Sequence, residues 1–275
     1  MAINTEPTDS LLEVNATRIY HEVRGSGGPP VLFIAGATGD AGHFQRVAEL
    51  LADEFTCVTY DRRANSRSPR PDGWQSTSTE EQSDDDAGLI ESLGIVPAAV
   101  FGTSWGAIIG LDLVIRYPNL LRGAILHEPP MHAGMSNPEE MVGVLQQVIE
   151  GGMQRGGPRG GLEAFLRFAA GDETFEKQDP GLRERMLGNA EVFFGVESVI
   201  FEPYRPDDAT LAGGEVPVRV IAGPESPPSL VEASRWLAAR LNVELETLPG
   251  THMPYLDRPE EMAEAIRPLL RELSE

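Results

Sequence analysis

Lysine is almost missing from this chain: its 275 residues include one, Lys177, and Lys and Arg together number 22 against 43 Asp and Glu. A formal net charge of -21 leaves few cations to neutralise phosphate, which excludes nucleic acid and anionic membrane surfaces as expected partners. Cysteine is nearly as scarce. The single Cys57 cannot form an internal disulfide, and its place in the strand-like run Phe55 to Tyr60 predicts a buried thiol in a reducing compartment. Nowhere do 18 apolar residues follow one another, and no basic N-terminal region precedes an apolar stretch, so a cytoplasmic protein without a membrane span is expected. No internal repeat is present.

What is there suits a globular enzyme-sized domain. Hydrophobic residues make up 41% and charged residues 24%, within the range of one folded α/β domain carrying an insertion. Strand-like and helix-like segments alternate, which predicts a mostly parallel, doubly wound sheet with helices on both faces. Residues 11–24 read as an N-terminal hairpin. Buried strands are predicted at 31–34, 55–60, 98–101, 123–126, 216–222 and 244–248, with helices at 44–51, 79–93, 107–115, 230–241 and 259–273. Between 131 and 215 the pattern changes to helical segments near 138–150, 160–170 and 180–198, interrupted at Gly151-Gly152 and Gly156-Gly157. The chain therefore divides into a core of 1–130 and 216–275 and a helical lid of 131–215. The acidic run Glu80 to Asp86 follows a capping-box pair, Ser78 and Glu81, and reads as a solvated helix start and not as a metal site.

Five residues carry the chemistry. Gly102-Thr103-Ser104-Trp105-Gly106 stands between an apolar strand and an apolar helix, the setting of a nucleophile elbow. Glycine is needed on both sides because a Cβ at either flank would strike the neighbouring backbone. Ser104 is then a candidate nucleophile, displayed at the carboxyl edge of the sheet. Its hydroxyl needs a base. Of five histidines, His252 follows the last predicted strand and so arrives at the same edge.

On these motifs the chain resembles the α/β-hydrolase family over almost its whole length. Asp61 to Ser68 is similar to that family's D-x-R-G-x-G-x-S loop, with Ala64 and Ser66 in place of the two glycines. The resemblance implies an acid as third member, usually supplied after the strand that follows the lid. Ser226 stands at that position here. Two glutamates remain as candidates: Glu225, one position early, and Glu128, which follows the strand after the elbow in His127-Glu128-Pro129-Pro130. Haloalkane dehalogenases and zearalenone lactonases place their acid after that earlier strand. Within the family the zearalenone lactonases are similar at three motifs in order: the elbow, the His-Glu-x-Pro segment and Pro249-Gly250-Thr251-His252-Met253-Pro254-Tyr255. Glu128 is accordingly the expected acid and Glu225 the alternative.

An acyl-transfer site also needs donors for the developing oxyanion. The Trp105 amide supplies one, and the turn Gly36 to Gly39 a second, at Ala37 or Gly36. The expected function is hydrolysis of an ester or lactone of a bulky apolar small molecule, with no cofactor and no metal, by a monomer or a homo-oligomer. The same triad serves thioesterases, amidases, carbon-carbon bond hydrolases and slow-turnover ligand receptors. An epoxide hydrolase or dehalogenase would need Asp at the position of Ser104. Phe193, Phe194, Phe201 and Tyr204 are the candidate pocket aromatics.

Overall fold

A computed structural model describes residues 8–25, 27–197 and 202–275. Phe201 lies outside the described residues. Eight strands form one sheet: β1 (Thr8–Val14), β2 (Thr17–Arg24), β3 (Pro30–Ile34), β4 (Thr56–Tyr60), β5 (Ala98–Thr103), β6 (Leu121–His127), β7 (Val218–Ala222) and β8 (Leu245–Thr247). Their order is β1-β2-β4-β3-β5-β6-β7-β8, with β1 and β2 antiparallel and every pairing from β4 to β8 parallel. This is the mostly parallel, doubly wound sheet that the alternating pattern predicts. The first hairpin turns on Asn15 and Ala16, both at positive φ (44° and 58°), as a two-residue turn between right-twisted strands requires.

The central strands read as unbroken apolar runs because both their faces are covered. Along β3 the side chains alternate: Leu32 and Ile34 enter one core, Val31 and Phe33 the other. On the first face lie α2 (Thr79–Ser92), α3 (Trp105–Arg116) and α9 (Pro228–Leu241); on the second, α1 (Gln45–Leu51) and α11 (Pro259–Glu272). Cys57 is buried on β4, and burial pushes its thiol up to about 12.

Between β6 and β7 come α4 (Pro138–Ala170), α5 (Asp172–Lys177), α6 (Pro180–Gly188), α7 (Ala190–Gly195) and α8 (Asp208–Ala212), with no strand among the described residues. Sequence spacing places helix breaks at both glycine pairs, yet only Gly156 (φ −149°, ψ 24°) and Gly157 (φ 61°, ψ −155°) leave helical geometry. Gly152 stays helical. It serves a close approach instead, since a Cβ there would lie 2.3 Å from the carbonyl oxygen of Gly160 as the second half of α4 packs back on the first.

A second difference concerns the acidic run. The Ser78 hydroxyl does accept from the Glu81 amide, at 3.1 Å, so the cap forms. One turn further on, however, Asp85 and Asp86 are buried rather than solvated. Asp85 takes two bonds from the Arg63 guanidinium (2.6 and 2.8 Å), and Asp86 accepts from the Tyr60 hydroxyl. Burial still outweighs these partners and raises both carboxyls, Asp85 to about 6. A charge run looks the same in sequence whether it faces water or buried partners from β4 and the loop after it.

Among the described residues no helix is long and apolar enough to cross a membrane, and no group of three or more His, Cys, Asp or Glu could hold a metal ion. A short α10 (Pro254–Asp257) precedes α11 and brings Tyr255 against His43, the rings 5.7 Å apart. His43 is also 3.0 Å from the Met186 sulfur of α6. Burial, opposed by Asp40 and aided by Arg62 and Arg185, lowers its pKa from 6.5 to about 4. Between those values the unfolded chain binds a proton that the folded chain refuses. Stability is therefore intact above pH 6.5 and declines as pH falls toward 4, by roughly 3 kcal/mol at about 1.36 kcal/mol per pKa unit. Urea unfolding at pH 7 and pH 4 should show a larger loss in the wild type than in His43→Gln; equal losses would refute this account.

Candidate active site

Ser104 occupies the turn between β5 and α3 at φ 53° and ψ −126°, a conformation a non-glycine residue adopts only under constraint. The constraint comes from its neighbours. A Cβ on Gly102 would lie 2.3 Å from the Gly106 carbonyl oxygen, and one on Gly106 would lie 2.3 Å from the carbonyl oxygen of Ile34 in β3. Strand, turn and helix thus touch through backbone alone. The Ser104 amide is tied to the His127 carbonyl at the end of β6, at 2.9 Å.

Glu128 follows that strand at φ 49° and is entirely buried. Its Oε2 lies 2.6 Å from His252 Nδ1, and its Oε1 accepts from the Gly223 amide at 2.7 Å. His127 Nε2 stands 3.6 Å from the same Oε1. Burial alone would raise this carboxyl, but the adjacent His127 and the hydrogen bond from His252 overcome it and hold Glu128 well below the usual carboxylate range. An ionised carboxylate only accepts, so Nδ1 of His252 carries the proton and Nε2 is left as the basic nitrogen.

Glu225 has a different setting. Half-exposed, it makes a bidentate pair with Arg258 at 2.7 and 2.8 Å. Ser226, at the position where an acid was to be looked for, is buried, and among the described residues its hydroxyl has no hydrogen-bond partner. The end of β7 therefore contributes a backbone donor, Gly223 N-H, to a carboxylate that comes from β6.

The turn after β3 adjoins the serine: a Cβ on Gly36 would come within 2.9 Å of Ser104 Cβ. Its neighbour Ala37 shares a cavity with Ser104, Trp105 and His252. Trp105 opens α3, where the first amides lack intrahelical acceptors. A nucleophilic hydroxyl, a carboxylate-bound imidazole and available amides around one cavity are the parts that acyl transfer uses.

Residues 31–265 match the alpha/beta hydrolase family. The chain belongs to this family. An uncharacterised hydrolase of Bacillus subtilis, YraK, is 31% identical over 95% of this chain and 96% of its own length. A zearalenone hydrolase of Cladophialophora bantiana is 26% identical, with 94% of each chain covered. Among solved structures, a thermophilic esterase from Thermogutta terrifontis superposes with a TM-score of 0.76 at 24% identity, covering 98% of this chain and 100% of that one. The expected enzyme class, a hydrolase, is met.

The hydrolase's cavity holds about 460 Å³, and its wall differs from the sequence-based choice of aromatics. Phe193 is fully buried, 5.1 Å from the Phe165 ring and 4.9 Å from that of Phe194, and neither Phe193 nor Phe194 lines the cavity. Tyr204 does not line it either, and its hydroxyl donates to Asp112 of α3 at 2.8 Å. Phe165 and Phe168, three apart on α4, line it instead. That spacing serves a core stripe and a pocket wall equally, so periodicity could not choose between the two sets of aromatics.

The elbow yields a direct test. Gly106→Ala would force a methyl carbon to 2.3 Å from the Ile34 carbonyl, which backbone cannot relieve without parting β3 from α3. A loss of about 1 to 3 kcal/mol in urea-monitored stability is expected, as for other core overpacking. A stable, fully active Gly106→Ala protein would show that the turn tolerates a side chain.

Proposed function

We propose that this hydrolase cleaves a carboxylic ester or lactone of a bulky apolar molecule through Ser104, His252 and Glu128. The reading is carried by one observation: a buried, ionised Glu128 on His252 Nδ1 beside a cavity that Ser104 lines. His252 Nε2 takes the Ser104 proton as Oγ attacks the carbonyl carbon. The negative oxygen of the tetrahedral intermediate receives the amides of Ala37 and Trp105. Collapse breaks the carbon-oxygen bond, and the imidazolium gives its proton to the departing alkoxide. Water then enters and loses a proton to His252 as its oxygen bonds the acyl carbon, and the imidazolium returns that proton to Ser104 Oγ as the acid leaves. Glu128 fixes the imidazole tautomer and stabilises its cation throughout.

The wall of the cavity supports an apolar substrate. Val144 and Phe168 are among the few exposed large hydrophobic residues, 41% and 50% exposed, and both line its mouth. The zearalenone hydrolase among the relatives supports a macrocyclic lactone as the first substrate to try. Residues 131–215 act as the lid that carries this wall, over a core of 1–130 and 216–275. The lone buried thiol suits a reducing compartment and supports the cytoplasm as its location.

Turnover of short aryl esters, lactones and zearalenone by the variants tests each role. Ser104→Ala should lose about six orders of magnitude in kcat with stability retained, and a fluorophosphonate should label Ser104 alone. Labelling elsewhere would overturn the nucleophile. His252→Ala should be about as damaging.

The acid is tested by comparison of two conservative changes. Glu128→Gln should cost roughly three to five orders of magnitude in kcat, because it removes both the charge and the tautomer lock on His252. Glu225→Gln should change kcat by less than about threefold, as a surface pair on Arg258. The reverse ranking would move the acid to Glu225.

A further inference from the structure

Arg62 is the largest fully buried side chain of the described residues, and the catalytic scheme above leaves it without a task. It stands at the end of β4, where its own amide bonds the Gly39 carbonyl at 2.7 Å. Its guanidinium meets four groups at once, one of them the Gln82 side-chain oxygen, to which Nη1 donates at 3.2 Å. Nη2 donates to the Gly36 carbonyl oxygen at 2.9 Å. The Cζ lies 4.5 Å over the Trp105 ring. Nη1 and Nη2 reach the two carboxylate oxygens of Glu197 at 2.7 and 3.2 Å, with neither side chain exposed at all. Glu197 follows α7 in the helical insertion and accepts in addition from Asn65 Nδ2 at 2.8 Å.

We propose that Arg62 is a positioning residue for the oxyanion site and that Glu197 of the insertion holds it in place. The proposal rests on the serine-hydrolase reading and deepens it. The Gly36 carbonyl and the Ala37 amide are the two ends of one planar peptide unit, and in a trans peptide they point in opposite directions. A donor fixed on the carbonyl therefore aims the N-H away from Arg62. Ala37 lies beside Ser104 along the cavity, so that direction is available to an oxyanion. The positive charge also polarises the peptide and strengthens its N-H as a donor, in surroundings from which water is excluded. Through the Trp105 ring the same guanidinium packs on the residue that supplies the second amide. One cation thus orders both donors without touching substrate.

An unpaired buried guanidinium would instead leave for water or a nearer carboxylate, which is why Glu197 matters. Its carboxylate engages both terminal nitrogens in the planar fork geometry that only arginine supplies. Since Glu197 belongs to the insertion, docking of that segment and alignment of the Gly36-Ala37 peptide are one event. The insertion would then set catalytic competence as well as substrate fit.

Arg62→Met, Arg62→Lys and Glu197→Gln test this, with active sites counted by fluorophosphonate so that rates refer to folded enzyme. Arg62→Met should lower kcat on an aryl ester about 100-fold, the lower end of what removing one oxyanion donor costs, with KM changed by less than about threefold. Arg62→Lys keeps the charge but lacks the fork, and should stay at least about tenfold below wild type. Glu197→Gln should lower kcat about tenfold, again with KM nearly constant. Affinity for an aryl boronate, which places an oxygen in the oxyanion position, should fall in parallel with kcat. If Arg62→Met fails to fold, the other two variants carry the test. Lower melting temperatures with unchanged kcat per active site and unchanged boronate affinity would reduce the pair to a structural brace. That result would leave the serine-hydrolase reading standing, whereas fluorophosphonate labelling away from Ser104 would remove the basis for both.

Discussion

A carboxylate wholly removed from water is the constraint around which this hydrolase is arranged. Glu128 would be driven neutral by burial if it stood alone. It stays ionised because three groups from three elements converge on it: the Gly223 amide at the end of β7, His252 after β8, and His127 at the end of β6. Parallel strands that finish at one edge make this convergence geometrically cheap, since each loop starts from nearly the same height. The strained Ser104 belongs to the same edge, its amide bonded to His127. Ser104 and Glu128 are thus held directly at strand ends, and His252, in the loop after β8, is fixed by its bond to Glu128.

The insertion is joined to that edge by polar contacts as well as by apolar packing. Arg185 of α6 meets Asp40 at 2.8 and 3.0 Å, and Asn189 bonds both the Thr38 carbonyl and the Ser66 amide. Glu197 adds the pair with Arg62. All four partners on the core side lie in the turn after β3 or the loop after β4. These directed bonds specify how insertion and core meet more narrowly than apolar contact would.

The loop after β4 shows how little a glycine signature alone decides. Ala64 and Ser66 stand where the family's pattern has glycine, yet both adopt left-handed conformations, at φ 61° and 51°. Ser66 is held there by the Asn189 side-chain oxygen on its amide at 2.7 Å. A partner 123 positions away stabilises what a missing side chain otherwise permits. The buried Asp85 and Asp86 follow the same logic. Their partners Arg63 and Tyr60 come from another element, so a reading confined to the helix's own sequence sees a polar face and assigns it to solvent.

By itself the sequence determined the features that depend on local stereochemistry and period. Apolar runs bounded by turns located the strands, the capping pair began α2, and two glycines around Ser104 could be read as a turn too tight for side chains. Those signals are local because the physics behind them acts within a few residues. Tertiary structure alone decided which aromatics face the cavity and that Arg62 lies beneath the Gly36 peptide, whereas between the two glutamates only the resemblance, and not the local residues, favoured the Glu128 that meets His252. Each depends on groups tens to more than a hundred positions apart brought together by strand order and helix packing. A carboxylate, a phenyl ring or a guanidinium looks the same along the chain until the fold chooses its neighbours.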